Sequence, residues 1–325
     1  MTSWLVTGGA GYIGAHVVRA LQTEGEDVVV IDDLSTGEPG RTGDATFVQG
    51  SVLDEDVVRR TIADNGVGGI VHIAAKKQVG ESVADPLLYY RENVGGLTSL
   101  LRAAVDTGVE SFVFSSSSAT YGMPDLDRVT EDAPTAPLSP YGETKLIGEW
   151  IGHNVAAVTD LRVISLRYFN VAGAASADLG DPGVFNLIPL VFQALSARES
   201  PRVFGADYPT PDGTCIRDYV HVADIADAHV AALRHLVGGG ASATYNIGRG
   251  EGSSVLDVMK MVAEVTGLSV EPEIVARRPG DPARIVAAVD RIRAELGWTA
   301  KFDLRDMVTS AWTAWVARHG EPAAR

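Results

Sequence analysis

The chain has 325 residues, 46% hydrophobic and 21% charged, a mixture suited to one large globular domain or two intimate ones. A formal net charge of −15 argues against nucleic acid or an anionic membrane as the main partner. The single cysteine, Cys215, excludes an intrachain disulfide, argues against a thiolate metal site and reads as a small buried hydrophobe.

The first residues, MTSWLVTGGAGYIGAHVV, lack a basic stretch followed by a long apolar run, so they do not form a secretory signal. No apolar segment approaches the ~20 residues needed to span a bilayer, and a soluble cytoplasmic protein is expected. In chain order, SWLVTG, DVVVID, ATFVQG, GIVHIAA, SFVFSSS and RVISLRY read as strands, most of them continuous apolar runs. Between them lie YIGAHVVRALQTEG, LDEDVVRRTIADNG, PLLYYRENVGGLTSLLRAAVDTG and PYGETKLIGEWIGHNVAAVTD. These have helical periodicity, and several end in Gly. The alternation predicts an α/β fold, a doubly wound parallel sheet of Rossmann type. After Tyr168 the texture changes. Residues 171–220 are rich in Gly, Pro, Asp and Ala; HVADIADAHVAALRHL reads as a helix, ATYNIG as a strand, and 253–266 and 303–318 as helices. The expected division is a sheet domain over 1–170, with elements of about 220–248 added back, and a smaller α+β lobe over 171–325 that caps the sheet's carboxyl edge. No internal repeat is visible.

TGGAGYIG, Thr7 to Gly14, follows the first strand and opens the first helix. Gly8, Gly11 and Gly14 permit a tight turn, close approach of backbone to a pyrophosphate, and close helix–strand packing. The helix N-terminus supplies N–H groups and a positive dipole to phosphate. Asp32, 18 residues after Gly14, ends the second strand. A carboxylate there accepts hydrogen bonds from an adenosine ribose and repels a 2′-phosphate. NAD is therefore expected over NADP.

The strand SFVFSSS brings hydroxyls at Ser115 to Ser118 to the sheet's carboxyl edge, where ligands bind in doubly wound folds. Tyr141 and Lys145 open the next long helix and share one face, one turn apart. A nearby ammonium favours phenolate, so the Tyr141 pKa is expected to fall. Tyr as base, Lys as electrostatic partner and a serine orienting the hydroxyl form a working set beside a nicotinamide.

TGGAGYIG, the serine-ended strand and Tyr141-x-x-x-Lys145 resemble the extended short-chain dehydrogenase/reductase family. GESVADPLLYY, FSSSSATYG, SPYGETK, LRYFNVAGA, DYPTPDGTCIRDYVHVADIADAHV, YNIGRGEGSSVLDV and RRPGD are similar to its UDP-glucose 4-epimerase branch. The resemblance implies interconversion of UDP-glucose and UDP-galactose: NAD-dependent oxidation at C4, rotation of the 4-keto sugar, and re-reduction on the other face. It implies Ser117, Tyr141 and Lys145 as catalytic residues, with Ser117 selected among its neighbours by its five-residue distance to Gly122. For the cofactor it implies Gly8, Gly11, Tyr12, Ile13, Gly14, Asp32, Ser51, Val52, Ala74, Lys77, Asn93 and Phe169, besides Tyr141 and Lys145. For the UDP-sugar it implies Ser117, Asn170, Asn186, Leu187, Phe204, Arg217, Arg278 and Asp281. It also implies a homodimer built on the helices at 86–107 and 140–158, and no metal.

Three departures stand out: Ser51 where the family usually has an acid, Glu92 for a common Asn, and Ala119 for a common second hydroxyl. Ile285 occupies a position that is often a bulky Tyr in hexose-specific members, which points to an N-acetylated sugar as an additional substrate. Rival readings are a 4,6-dehydratase (Ser118 and Ala119 stand where it needs an Asp–Glu pair), a decarboxylase or uronate epimerase, a UDP-pentose epimerase, and a non-catalytic NAD sensor. His221 has no second ligand at useful spacing and reads as structural; Trp312 and Trp315 read as packing.

Overall fold

A computed structural model describes residues 3–278 and 280–322. The first lobe follows the predicted alternation: β1 (Ser3–Thr7), α1 (Tyr12–Thr23), β2 (Val28–Asp32), β3 (Thr46–Gln49), α2 (Glu55–Asp64), β4 (Val67–His72), α3 (Val79–Ala84), α4 (Pro86–Tyr89), α5 (Gly96–Asp106), β5 (Ser111–Ser117), α6 (Pro140–Ala156) and β6 (Arg162–Tyr168). The second lobe adds β7 (Asn170–Ala172), α7 (Leu187–Ala197), β8 (Arg202–Phe204), β9 (Ile216–His221), α8 (Val222–Val237), β10 (Ala243–Ile247), β11 (Gly252–Ser254), α9 (Val255–Thr266), β12 (Glu273–Val275), β13 (Arg284–Ile285), α10 (Asp290–Leu296) and α11 (Leu304–His319).

Seven parallel strands form the main sheet in the order β10-β6-β5-β4-β1-β2-β3. Strand order reverses beside β1, which opens a crevice at the carboxyl ends of β1 and β4. The inner strands are buried on both faces, as parallel strands require: β2 is buried along its whole length, whereas the edge strand β3 is not. One face packs on α1 and α8 through Val6, Val18, Val30, Ile164 and Leu233. The other packs on α2, α5 and α6 through Leu5, Ile31, Ile62, Leu100 and Val163. Thus β10 and α8, from beyond residue 220, complete the first lobe's sheet and cover.

The second lobe has its own core, where Phe192, Val258, Met259, Met307 and Trp315 join α7, α9 and α11. The strands β7, β11 and β13 gather on β9 at the sheet's carboxyl side. Trp312 and Trp315 pack on Phe192, with ring centroids 5.0 and 5.8 Å away. His221 is buried between Ser310, at 3.0 Å, and the Ala223 N–H, also at 3.0 Å. Burial lowers its pKa to about 4, so it stays neutral as a structural group.

The stretch predicted as one helix over 86–107 contains a π-helical turn over Tyr90–Gly95 between α4 and α5. A π turn widens the ring by one residue and is often found at functional positions. Asn93, inside it, is aimed at the loop after β4.

Candidate active site

The loop from β1 into α1 is built for close approach. Gly8 sits at φ +71, and a Cβ there would lie 2.8 Å from the Ala74 nitrogen. At Gly14 a Cβ would lie 2.0 Å from the Gly8 carbonyl oxygen. No side chain caps α1 at Gly11, and its first turn holds no acid, so its leading N–H groups stay free for an anion. Asp32 ends β2 and accepts from the N–H groups of Ala10 (3.0 Å) and Leu34 (2.8 Å). Burial raises its pKa, and those two donors oppose the rise. After β3, the Ser51 hydroxyl oxygen accepts from the Leu53 N–H at 3.2 Å and Val52 is buried. A glycine-lined helix N-terminus with an acid at the end of the second strand fits NAD.

Tyr12 is turned the other way: its hydroxyl donates to the Gly173 carbonyl at 2.5 Å, joining the glycine loop to the second lobe. Ile13 packs against the core beneath. Phe169 is buried and donates its N–H to the Ile247 carbonyl at 3.0 Å, locking the end of β6 to β10.

Helix α6 carries the candidate pair Tyr141 and Lys145. Pro140 takes the first helical position and the Ser139 hydroxyl caps the Gly142 N–H at 3.2 Å, so the helix starts one residue before Tyr141. Lys145 lies one turn on, 5% exposed, and donates to the Ser115 carbonyl at 2.8 Å. Its ammonium is 5.9 Å from the Tyr141 ring centroid. Burial lowers the Lys145 pKa to about 8. The Tyr141 phenol differs from expectation. Burial raises its pKa, and the opposing influence is a hydrogen bond with Ser117 rather than the lysine charge. The ammonium is committed to the Ser115 carbonyl and desolvation outweighs its pull, so the protein alone holds a neutral phenol.

The strand's serines divide their tasks. Ser115 bonds the Tyr168 hydroxyl at 2.8 Å, Ser116 donates to Glu149, and Ser117 accepts from the Ala119 N–H at 3.1 Å while reaching Tyr141. Asn93 uses its whole amide on positioning. Its oxygen accepts the Lys76 N–H (2.8 Å), and its nitrogen donates to the Lys76 carbonyl and the Thr144 hydroxyl (3.0 Å each). It thereby ties the loop bearing Ala74 and exposed Lys77 to α6. Glu92 pairs with Arg91.

The residues matched to a UDP-sugar fall into two groups. Asn170, Asn186 and Leu187 line a cavity of about 450 Å³, together with Tyr12, Asp181 and Trp315. Asn186 precedes α7 without capping it by a side-chain bond, and its amide nitrogen donates to Asp181 at 3.0 Å. Phe204, Arg217, Arg278 and Asp281 lie outside that lining. Arg217 pairs with Asp281 beside buried Cys215. The Arg278 guanidinium stacks on Phe204, 3.7 Å from the ring centroid. Ile285 is buried and pairs with Arg217 across β13 and β9. Among the described residues no cluster of His, Cys, Asp or Glu could hold a metal.

The sequence profile of the NAD dependent epimerase/dehydratase family matches residues 4–248, well over half the chain. The chain belongs to that family. The chain is 46% identical over 316 residues to a UDP-glucose 4-epimerase of Azospirillum brasilense, covering 96% of this chain and 91% of that one. A solved UDP-glucose-4-epimerase from Stenotrophomonas maltophila, with bound NAD and formylated UDP-arabinopyranose, aligns at TM-score 0.93 and 40% identity over 98% of this chain and 99% of that one. The UDP-Glc/GlcNAc 4-epimerase from Campylobacter jejuni aligns at TM-score 0.85 and 36% identity, over 96% and 98% of the two chains.

Glu149, Arg167 and Tyr121, which the sequence did not single out, form a buried polar cluster behind Ser117. The signal was present: Glu149 is one turn beyond Lys145, and Arg167 lies in the quoted RYFN stretch. Asp218 was also passed over. It is fully buried, accepts from the N–H groups of Arg249, Gly250 and Ala287, and its pKa is raised to about 6 by burial.

Proposed function

We propose that this protein interconverts UDP-glucose and UDP-galactose at C4, with Tyr141 as the acid–base residue. The observation that carries the reading is the placement of Tyr141 at the start of α6, with the buried Lys145 ammonium 5.9 Å from its ring and fixed to the Ser115 carbonyl of the strand that ends in Ser117. When bound, NAD supplies the hydride acceptor and donor for C4. Tyr141 takes the proton of the C4 hydroxyl and returns it after the 4-keto sugar has turned over. Ser117 orients that hydroxyl. Burial alone keeps the phenol neutral, so the phenolate that takes this proton would form only with the cationic nicotinamide bound, Lys145 adding its charge one helical turn away.

Gly8, Gly11, Tyr12, Ile13 and Gly14 would hold the diphosphate. Asp32, Ser51 and Val52 would hold the adenosine. Ala74, Lys77, Asn93 and Phe169 would frame the nicotinamide end. Arg217 and Arg278 would clamp the substrate's diphosphate in an otherwise acidic protein, Asp281 a ribose hydroxyl, with Asn170, Asn186, Leu187 and Phe204 completing the nucleotide site. The lobes would divide the work near residue 170, cofactor before it and nucleotide sugar after it. A homodimer is supported by apolar side chains left outside on the α4 and α6 faces, Leu87 at 78% and Trp150 at 56% exposure. No described helix is long and apolar enough to cross a membrane, and work in the cytoplasm completes the proposal.

The decisive experiment incubates purified protein with UDP-galactose and no added cofactor and follows UDP-glucose. No conversion, even with NAD supplied, overturns the reading. A second reading, activity on UDP-N-acetylhexosamines, is favoured by Ile285 in place of a bulky Tyr. Absence of turnover of UDP-N-acetylglucosamine retires it.

A further inference from the structure

We infer that the buried pair Glu149–Arg167 is a positioning device: it holds the Ser117 turn and helix α6 at one separation, so that Ser117 and Tyr141 address the same substrate hydroxyl. The inference rests on the epimerase reading above.

Parallel register sets Ser116 beside Arg167, so both side chains leave the sheet on one face, the face covered by α6. There Glu149 lies one helical turn beyond Lys145 and two beyond Tyr141. Glu149 is 3% exposed and Arg167 6%. They form a two-pronged pair, Nε to Oε1 at 2.9 Å and Nη2 to Oε2 at 2.6 Å. Besides a bond from Arg167 Nη1 to the Glu131 carbonyl at 3.1 Å, further bonds reach the chain on both sides of Ser117. Ser116 donates to Glu149. Arg167 Nη1 donates to the Tyr121 hydroxyl oxygen at 2.8 Å, and that hydroxyl donates to Asn246 at 2.6 Å. One buried hub thus grips the residue before Ser117, the turn after it, and the helix that bears Tyr141.

Stability is a poor reason for such a pair. Desolvating two charges cancels most of their attraction, and well-packed apolar residues of similar volume commonly serve as well. What the pair supplies and an apolar cluster does not is directional bonds between separate elements of the fold. A displacement of about 1 Å between reacting groups is enough to cost on the order of a hundredfold in rate.

The test is a double variant, Glu149→Leu with Arg167→Met, which removes both charges together and leaves neither unpaired. Purified as the NAD-loaded protein, it should keep its thermal midpoint, its cofactor content and its KM for UDP-galactose. Its kcat should fall about tenfold to a hundredfold, and crystals should show a longer Ser117 Oγ–Tyr141 Oη separation than in the parent. Parental kcat with an unchanged separation overturns the inference. Should the double variant fail to fold, Ser116→Ala combined with Tyr121→Phe removes one hydroxyl on each side of Ser117. The same drop in kcat with NAD retained supports the inference, and parental kcat overturns it. If the parent protein converts no UDP-hexose, the assigned reaction fails, while the crystallographic separation still decides the positioning role.

Discussion

Replacing Lys145 by Met should stabilise the cofactor-free protein at neutral pH while removing its turnover. The ammonium is buried, and burial lowers its pKa from 10.5 to about 8. That gap of about 2.5, at ~1.36 kcal/mol each, means the charge costs the folded state about 3 kcal/mol. Methionine removes that cost but leaves the Ser115 carbonyl without its donor, which returns about 1–3 kcal/mol. The net expectation near pH 7 is a gain of about 1 kcal/mol, or roughly 2 °C in unfolding midpoint. The pH dependence is the sharper signature. Because the folded pKa lies below the unfolded one, the penalty is fully present below about pH 8 and fades as pH rises to 10.5. The variant's advantage should therefore shrink through that window and become a deficit once Lys145 is neutral in the parent. Urea or thermal unfolding of both proteins, freed of NAD, at pH 7, 8.5 and 10 measures the difference, and other titrating groups cancel. A difference that does not change with pH refutes the reasoning.

Four further outcomes are expected. Tyr141→Phe should retain NAD yet lose about 10²–10⁴-fold in turnover of UDP-galactose, whereas a non-catalytic sensor would show an unaltered ligand response. Gly14→Ala should emerge from purification without cofactor, read by ultraviolet absorbance, because its methyl would occupy the space of the Gly8 carbonyl. Ile285→Tyr should lower the ratio of UDP-N-acetylglucosamine to UDP-glucose turnover by about tenfold or more, measured by coupled assay; an unchanged ratio removes this residue from sugar selection. Trp150→Glu should convert a dimer to a monomer in analytical ultracentrifugation, since it places charge on an exposed apolar helix face.

The parallel sheet was legible because its strands are apolar runs separated by helical periods, and because burial on both faces leaves no alternation to confuse them. The glycine loop was legible for a different reason: Gly8 and Gly14 answer to backbone contacts that no other residue could make. Residues 171–220 were harder to read. Their helix α7 is apolar along most of its length, and the short strands around β9 take their pairing from distant segments rather than from any local period. The phenol's electrostatics were misjudged because helical spacing tells which side chains are neighbours and nothing about desolvation. The Glu149–Arg167 cluster was missed because its partners come from α6, β5, β6 and β10, elements that only the folded register brings side by side.

The π-helical turn at Tyr90–Gly95 makes two surfaces answer to a single insertion. Excising one residue there would restore regular winding and swing everything on one side of the cut by about 100°. Asn93 would lose its grip on Lys76 and Thr144, or Leu87 would rotate off its present outward bearing. Lineages descending from this chain can drift in side chains along that rod, but its residue count is phase-locked: a shift that spares the contact with the loop after β4 spoils the outer face, and the reverse.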